Sequence, residues 1–97
     1  MQVFISQPMN GKTNEEIRNE RESVVRILET EGYTILDSIV SESAPETSHE
    51  GVWYLGKSIL LLSIADAVYF MDGWEDARGC KIEHTIAIDY NLNIIQD

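Results

Sequence analysis

Asp72-Gly73-Trp74-Glu75-Asp76-Ala77-Arg78-Gly79-Cys80-Lys81-Ile82-Glu83-His84 is the stretch on which the reading of this chain turns. Ahead of it runs Ala67-Val68-Tyr69-Phe70-Met71, the most strand-like segment of the sequence, and behind it a helical pattern continues through Ile86, Ala87 and Tyr90. A strand end, a glycine-bearing turn and a helix start therefore meet within about a dozen residues, the arrangement that places ligand sites at the carboxyl edge of an open α/β sheet. Glu83 follows Gly79 by four residues and shares a helical face with it, so the missing side chain at Gly79 leaves room beside a carboxylate.

Outward from this stretch the same alternation repeats. Val3-Phe4-Ile5 is a short apolar run of the buried-strand kind, stopped by Ser6-Gln7-Pro8-Met9-Asn10-Gly11-Lys12. Thr13 with Glu16 three residues later forms a capping box, and Ile17, Val24, Val25 and Leu28 recur at helical spacing until Glu31-Gly32 ends the helix. Tyr33-Thr34-Ile35-Leu36 reads as a second strand. From Ser38 to Gly51 the pattern lapses into a polar stretch, expected to form a mobile flap. Trp53 through Ala65 then predicts a helix apolar on nearly every side, buried on more than one face and able to meet another subunit, with Asp66 closing it. Ala67 to Met71 is the third strand, Ala77 to Tyr90 the third helix, and Ile94-Ile95-Gln96 a short final strand. Such alternation predicts an α/β fold: a Rossmann-like, flavodoxin-like three-layer sandwich with a small parallel sheet of about four strands, three helices and right-handed crossovers, in one domain over residues 1–97.

Composition narrows the partners. The 97 residues suit one domain, and a chain this short buries only about 60 to 65% of its unfolded surface, so a homo-oligomer, dimer or higher, is expected. The formal charge of −10, with the seven Lys and Arg scattered, disfavours a nucleic acid polymer but not a small nucleoside or nucleotide. Cys80 is the sole cysteine, no Cys/His cluster has metal-ligand spacing, and no cofactor is implied. The start of the chain passes directly into a strand pattern without a secretory leader, and Ile59 to Ala65, broken by Ser63, is far below the roughly 20 residues that span a bilayer; a cytoplasmic location without membrane attachment is expected.

Two loops converge on one crevice if the first and third strands are neighbours. The Ser6 to Lys12 loop precedes a helix N-terminus, where free backbone N–H groups attract anions, although it lacks the earlier glycine of a Walker motif; a plain turn before a capped helix is the alternative. Glu83, flanked by Ile82 and near Ile86 and Ala87, is expected near the buried side, and such a carboxylate can attack an anomeric carbon, whereas a solvated carboxylate paired with Lys81 or Arg78 is the bland reading. Arg78 is a candidate for a phosphate or carboxylate, against an ion pair with Glu75. Trp74, after Gly73, is a candidate stacking platform for a base, against simple core packing. Trp53, Tyr54 and Asp72 are secondary candidates, and His84 is expected at a surface or interface.

Val3-Phe4-Ile5-Ser6 with Asn10-Gly11, then Ala65-Asp66-Ala67-Val68-Tyr69, then Gly79-x-x-x-Glu83, in this order and spacing, resemble the nucleoside 2-deoxyribosyltransferase superfamily, above all its short uncharacterised bacterial and phage members. The resemblance covers nearly the whole chain. It implies a Rossmann-like sheet and cleavage or transfer at an N-glycosidic bond, with Glu83 as the nucleophile and with Ser6, Asn10 and Gly11 in the loop that holds the sugar or a 5′-phosphate. Two positions depart from the pattern: Ser58, beside Lys57, stands where the enzymes carry a second acidic group, and Ala77 where they carry serine or aspartate. Glu75, Asp76 or a neighbouring chain would then have to supply a general acid. The sequence thus supports an N-glycosidase or deoxyribosyltransferase; the alternatives are a non-catalytic protein that senses or sequesters a nucleotide-derived ligand, and a subunit whose role is assembly.

Overall fold

The computed structural model describes residues 1–37, 43–46 and 49–96. Its elements are β1 (Gln2–Ser6), α1 (Asn14–Thr30), β2 (Thr34–Leu36), α2 (Glu50–Leu62), β3 (Ala67–Phe70), a 3-10 turn (Trp74–Asp76), α3 (Arg78–Asp89) and β4 (Asn93–Gln96). All strand pairs are parallel, in the order β2-β1-β3-β4. This is the expected Rossmann-like α/β arrangement, with β1 and β3 side by side at the centre.

The period of two along the strands divides the interior into two layers. Val3, Ile5, Ala67 and Met71 face α1, where Leu28 is buried among them with Val24 and Val25 packed alongside. Phe4, Val68 and Phe70 point the other way and meet Leu62 of α2 and Ala87 of α3. Each large apolar side chain buried in this way contributes roughly 1.5–3 kcal/mol over leaving it in water. With α1 on one face and α2 and α3 on the other, the chain changes face between β1 and β3, and Ser6, in step with Phe4, points to the α2/α3 side.

Local chemistry sets the ends of α1. Thr13 accepts from the Glu16 N–H at 3.1 Å while the Glu16 side chain accepts from the Thr13 N–H at 3.0 Å, the capping box expected from the sequence. Gly32 follows at φ 94°, a left-handed conformation that favours glycine.

Three readings need correction. α2 begins at Glu50 rather than Trp53 and ends at Leu62, so Glu50 and Gly51 belong to a helix and not to the polar loop. The remainder of the expected flap includes residues 38–42 and 47–48, which lie outside the described residues. Nor is α2 buried on several faces: Leu62 is its one buried residue, while Val52 and Leu60 stand in solvent, because within one chain only the sheet and α3 are available to cover it. Asp66 does not cap α2; its carboxylate accepts from the Gln2 N–H at 2.7 Å, at the start of β1. Replacing the exposed cap residue, Thr13→Ala, is expected to cost about 1 kcal/mol. Urea denaturation checks this, and an unchanged midpoint would show that the capping box contributes nothing.

Candidate functional site

A cleft of about 320 Å³ opens at the carboxyl ends of β1 and β3, on the α2/α3 side. The first loop contributes Gln7, Met9 and Asn10, α2 contributes Gly51, Tyr54, Leu55 and Ser58, and the start of α3 contributes Arg78, Gly79, Cys80 and Glu83. α2 reaches the cleft by helical spacing, since 51, 54, 55 and 58 share one flank. Gly79 sits close to Leu55: a Cβ there would lie 3.9 Å from Leu55 Cδ1, so the two helices approach without a side chain between them.

Glu83 is 6% exposed, and Ser6 Oγ donates to Glu83 Oε1 at 2.6 Å across 77 residues of sequence. The bland reading of a solvated helical carboxylate therefore does not hold. Burial raises the Glu83 carboxyl above its ordinary value, and the Ser6 hydroxyl, which stabilises the ionised form, opposes that rise. Cys80, one turn earlier, is also buried, and burial pushes its thiol up, with the Ser6 hydroxyl opposing. Cys80 is thus a neutral small neighbour rather than a reactive thiolate.

Arg78 is exposed at the cleft margin, and no ion pair links it to Glu75 or to another described residue. Ala77 precedes α3 as its N-cap and offers no side-chain cap, so first-turn N–H groups and the positive end of the helix dipole accompany the guanidinium there. The cleft consequently has a positive margin and, one turn further along α3, a buried carboxylate that is its sole acidic lining residue among those described. Gln7 is buried; its Nε2 donates to the Ile17 carbonyl at 2.8 Å, tying the first loop to α1, and its Oε1 is without a hydrogen-bond partner among the described residues. Among the described residues no three His, Cys, Asp or Glu side chains cluster as a metal site.

Residues 1–96 match the family described as Domain of unknown function (DUF4406). The chain belongs to that family. Among curated proteins none matches it. No described helix is long and apolar enough to cross a membrane.

The DUF4406 fold brings together only part of the constellation expected from sequence. Gln7, Asn10, Arg78, Gly79 and Glu83 line the cleft, and Ser6, buried behind it, is joined to it by its hydrogen bond to Glu83. Gly11, at φ 76°, is exposed and outside the lining, and Pro8 is buried against the second loop, where a Cβ on Gly73 would sit 3.7 Å from its Cγ. Asp72 opens instead on a separate hollow with Lys12, Glu20 and Tyr69. Trp74 stacks on His84, with ring centroids 4.0 Å apart and planes 18° apart, and packs on Phe70; the core-packing reading applies to it, and His84 is half-buried beneath it. Glu75 and Asp76 are exposed on the 3-10 turn and do not line the cleft. Two aromatics line the cleft, the buried Phe4 of β1 and the half-buried Tyr54, whose hydroxyl accepts from the Ala44 N–H at 3.2 Å. Ser58, which stands where the resemblance expects a second acidic group, lines the cleft, while Leu55 and Cys80 carried only a weak signal, their helical register with Tyr54 and Glu83.

Because the buried Glu83 holds its proton to higher pH than the unfolded chain does, its contribution to folding is complete below about pH 4.5 and is lost as pH rises through the folded-state value. Glu83→Gln cannot ionise and keeps an acceptor for Ser6. The variant is expected to gain stability relative to wild type as pH rises above 4.5, by up to about 1.4 kcal/mol per pH unit within that window. Urea denaturation from pH 4 to 8 measures it; a difference constant over that range would mean that Glu83 is not perturbed.

Proposed function

We propose that this protein acts on the N-glycosidic bond of a (deoxy)nucleoside or nucleotide, with Glu83 as nucleophile, in the manner of the nucleoside 2-deoxyribosyltransferase superfamily that its sequence resembles. The observation that carries the reading is the Ser6–Glu83 pair: a single carboxylate, buried in a cleft wall and oriented by a hydroxyl from the neighbouring strand.

In the first step a Glu83 oxygen forms a bond to the anomeric carbon as the carbon–nitrogen bond breaks, and the electron pair leaves with the base. The base takes a proton from water or from the Tyr54 hydroxyl, which lines the cleft and whose oxygen accepts from the Ala44 N–H. Water or a second base then attacks the same carbon and releases Glu83. The Ser6 hydrogen bond favours the ionised carboxylate that attack requires, against the burial that disfavours it. Tyr54 supplies the aromatic face for the base, and Asn10 and Gln7 supply polar groups for the sugar. Arg78, without an ion-pair partner among the described residues, and the uncapped α3 terminus support a substrate with an anionic group such as a 5′-phosphate.

A second reading, a non-catalytic protein that senses or sequesters a nucleotide-derived ligand, is favoured by one observation: Ser58 lines the cleft where the related enzymes place a second acid. Incubation with a panel of deoxynucleosides and their 5′-monophosphates, followed by chromatography for free base, separates the two. Release by wild type and loss to background in Glu83→Gln is expected, with monophosphates turned over faster than nucleosides and that preference abolished in Arg78→Ala. Binding without release in both proteins would replace the enzyme by the sensor.

A further inference from the structure

Cleavage of an N-glycosidic bond makes two demands, a group for the anomeric carbon and a fate for the electron pair that leaves with the base. Glu83 answers the first. For the second, Ser58 lines the cleft where the resemblance expects an acid, Glu75 and Asp76 lie outside the lining, and Glu83 is its sole carboxyl among the described residues. The other protic groups there include the hydroxyls of Tyr54 and Ser58 and the thiol of Cys80, groups that surrender a proton far less readily than a carboxyl does. A neutral purine or pyrimidine departs as an anion unless it is protonated, and a general acid that relieves this contributes roughly 10²–10⁴-fold.

One class of nucleotide escapes that demand. In a pyridinium nucleotide the ring nitrogen is already cationic, and on taking the bonding pair it leaves as a neutral pyridine. The rest of the cleft suits such a cation. The chain carries −10, a buried carboxylate lies in the cleft wall, and the half-buried Tyr54 offers an aromatic ring to a cation. Arg78 stands at the margin five residues before Glu83, about 7.5 Å along the helix axis. A carboxylate within and a guanidinium at the mouth mirror the charge order of a pyridinium 5′-monophosphate, cationic at the ring and anionic at the phosphate. The cleft volume of about 320 Å³ is at the lower end of the roughly 300–1,000 Å³ of small-molecule sites, which suits a mononucleotide rather than a dinucleotide.

We propose that the preferred substrate of this cleft is a pyridinium nucleoside 5′-monophosphate, its base expelled without protonation. The proposal rests on the glycosidic reading above and narrows its substrate. A Glu83 oxygen bonds to the anomeric carbon while the carbon–nitrogen bond breaks toward nitrogen, whose positive charge the electron pair cancels. Water then attacks the same carbon, the bond to Glu83 breaks to restore the carboxylate, and the proton lost by water passes to solvent.

The test incubates the full chain with 3-carboxamidopyridinium riboside 5′-monophosphate, its neutral 1,4-dihydropyridine form, and adenosine and uridine 5′-monophosphates, following free base by chromatography. The pyridinium compound is expected to release base at least about a hundredfold faster than the others. Its kcat/KM is expected to rise as Glu83 ionises and then stay level to about pH 9, without the alkaline limb that a general acid imposes. Glu83→Gln is expected to stop release yet bind the pyridinium form about fivefold tighter than the dihydropyridine, and Tyr54→Leu in that background to erase the difference. Neutral bases released as fast as the pyridinium, a rate that falls on the alkaline side, or equal binding of the two forms overturns this inference and leaves the glycosidic reading in place. Release from none of the four compounds overturns both.

Discussion

The parallel pairing of β1 with β3 is the constraint on which the molecule rests. Those two strands are sixty residues apart in the chain but adjacent in the sheet, with Val3 opposite Ala67 and Ser6 opposite Phe70. α1 leaves from one and α3 from the other, on opposite faces, so the loops diverge and a hollow opens between them. Had β3 docked beside β2, the Ser6 hydroxyl and the Glu83 carboxylate could not meet. The cleft is thus a consequence of strand order, and its side chains exploit a gap that backbone topology creates.

Within that gap the chain holds a group that a core would not ordinarily admit. A carboxylate with one hydrogen-bond partner and little exposure disfavours its own ionised form, and the single Ser6 contact offsets this only in part. An apolar residue at position 83 would pack beside Ala87 and Cys80 without that conflict. A local disagreement between burial and charge in an otherwise consistent interior is the kind of feature expected at a functional site. In the proposed reaction, a poorly solvated carboxylate of this kind would have few competing partners.

Small size shapes the rest. With three helices on two faces, one side of the sheet is covered by α1 alone, and the pair on the other side cannot cover itself. α2 therefore shows water an apolar flank while its other flank forms the cleft wall, so one thirteen-residue helix serves both the site and the outer surface. Trp74 illustrates a related economy. Stacked on His84 and Phe70, it seals the end of the α3 side of the core close to the site, without lining it.

The amino-acid sequence by itself determined the elements and their order. The capping box at Thr13 and Glu16, the glycine at 32, and the apolar, β-favouring runs at 3–5 and 67–70 act within a few residues of themselves, so local periodicity carries them, and with them the strand–helix alternation and the parallel sheet. It also placed Glu83 and the Ser6 to Lys12 loop at one crevice, because the alternation puts both at one sheet edge. What tertiary structure alone decided is orientation. Whether Trp74 faces the cleft or the core, whether Arg78 finds Glu75, and whether Tyr54 or Trp53 turns inward depend on a few tens of degrees of helix rotation and on packing across dozens of residues. An apolar helix such as α2 looks the same in sequence whether its second face meets protein or water, since periodicity records that a side chain is hydrophobic and not what lies opposite it.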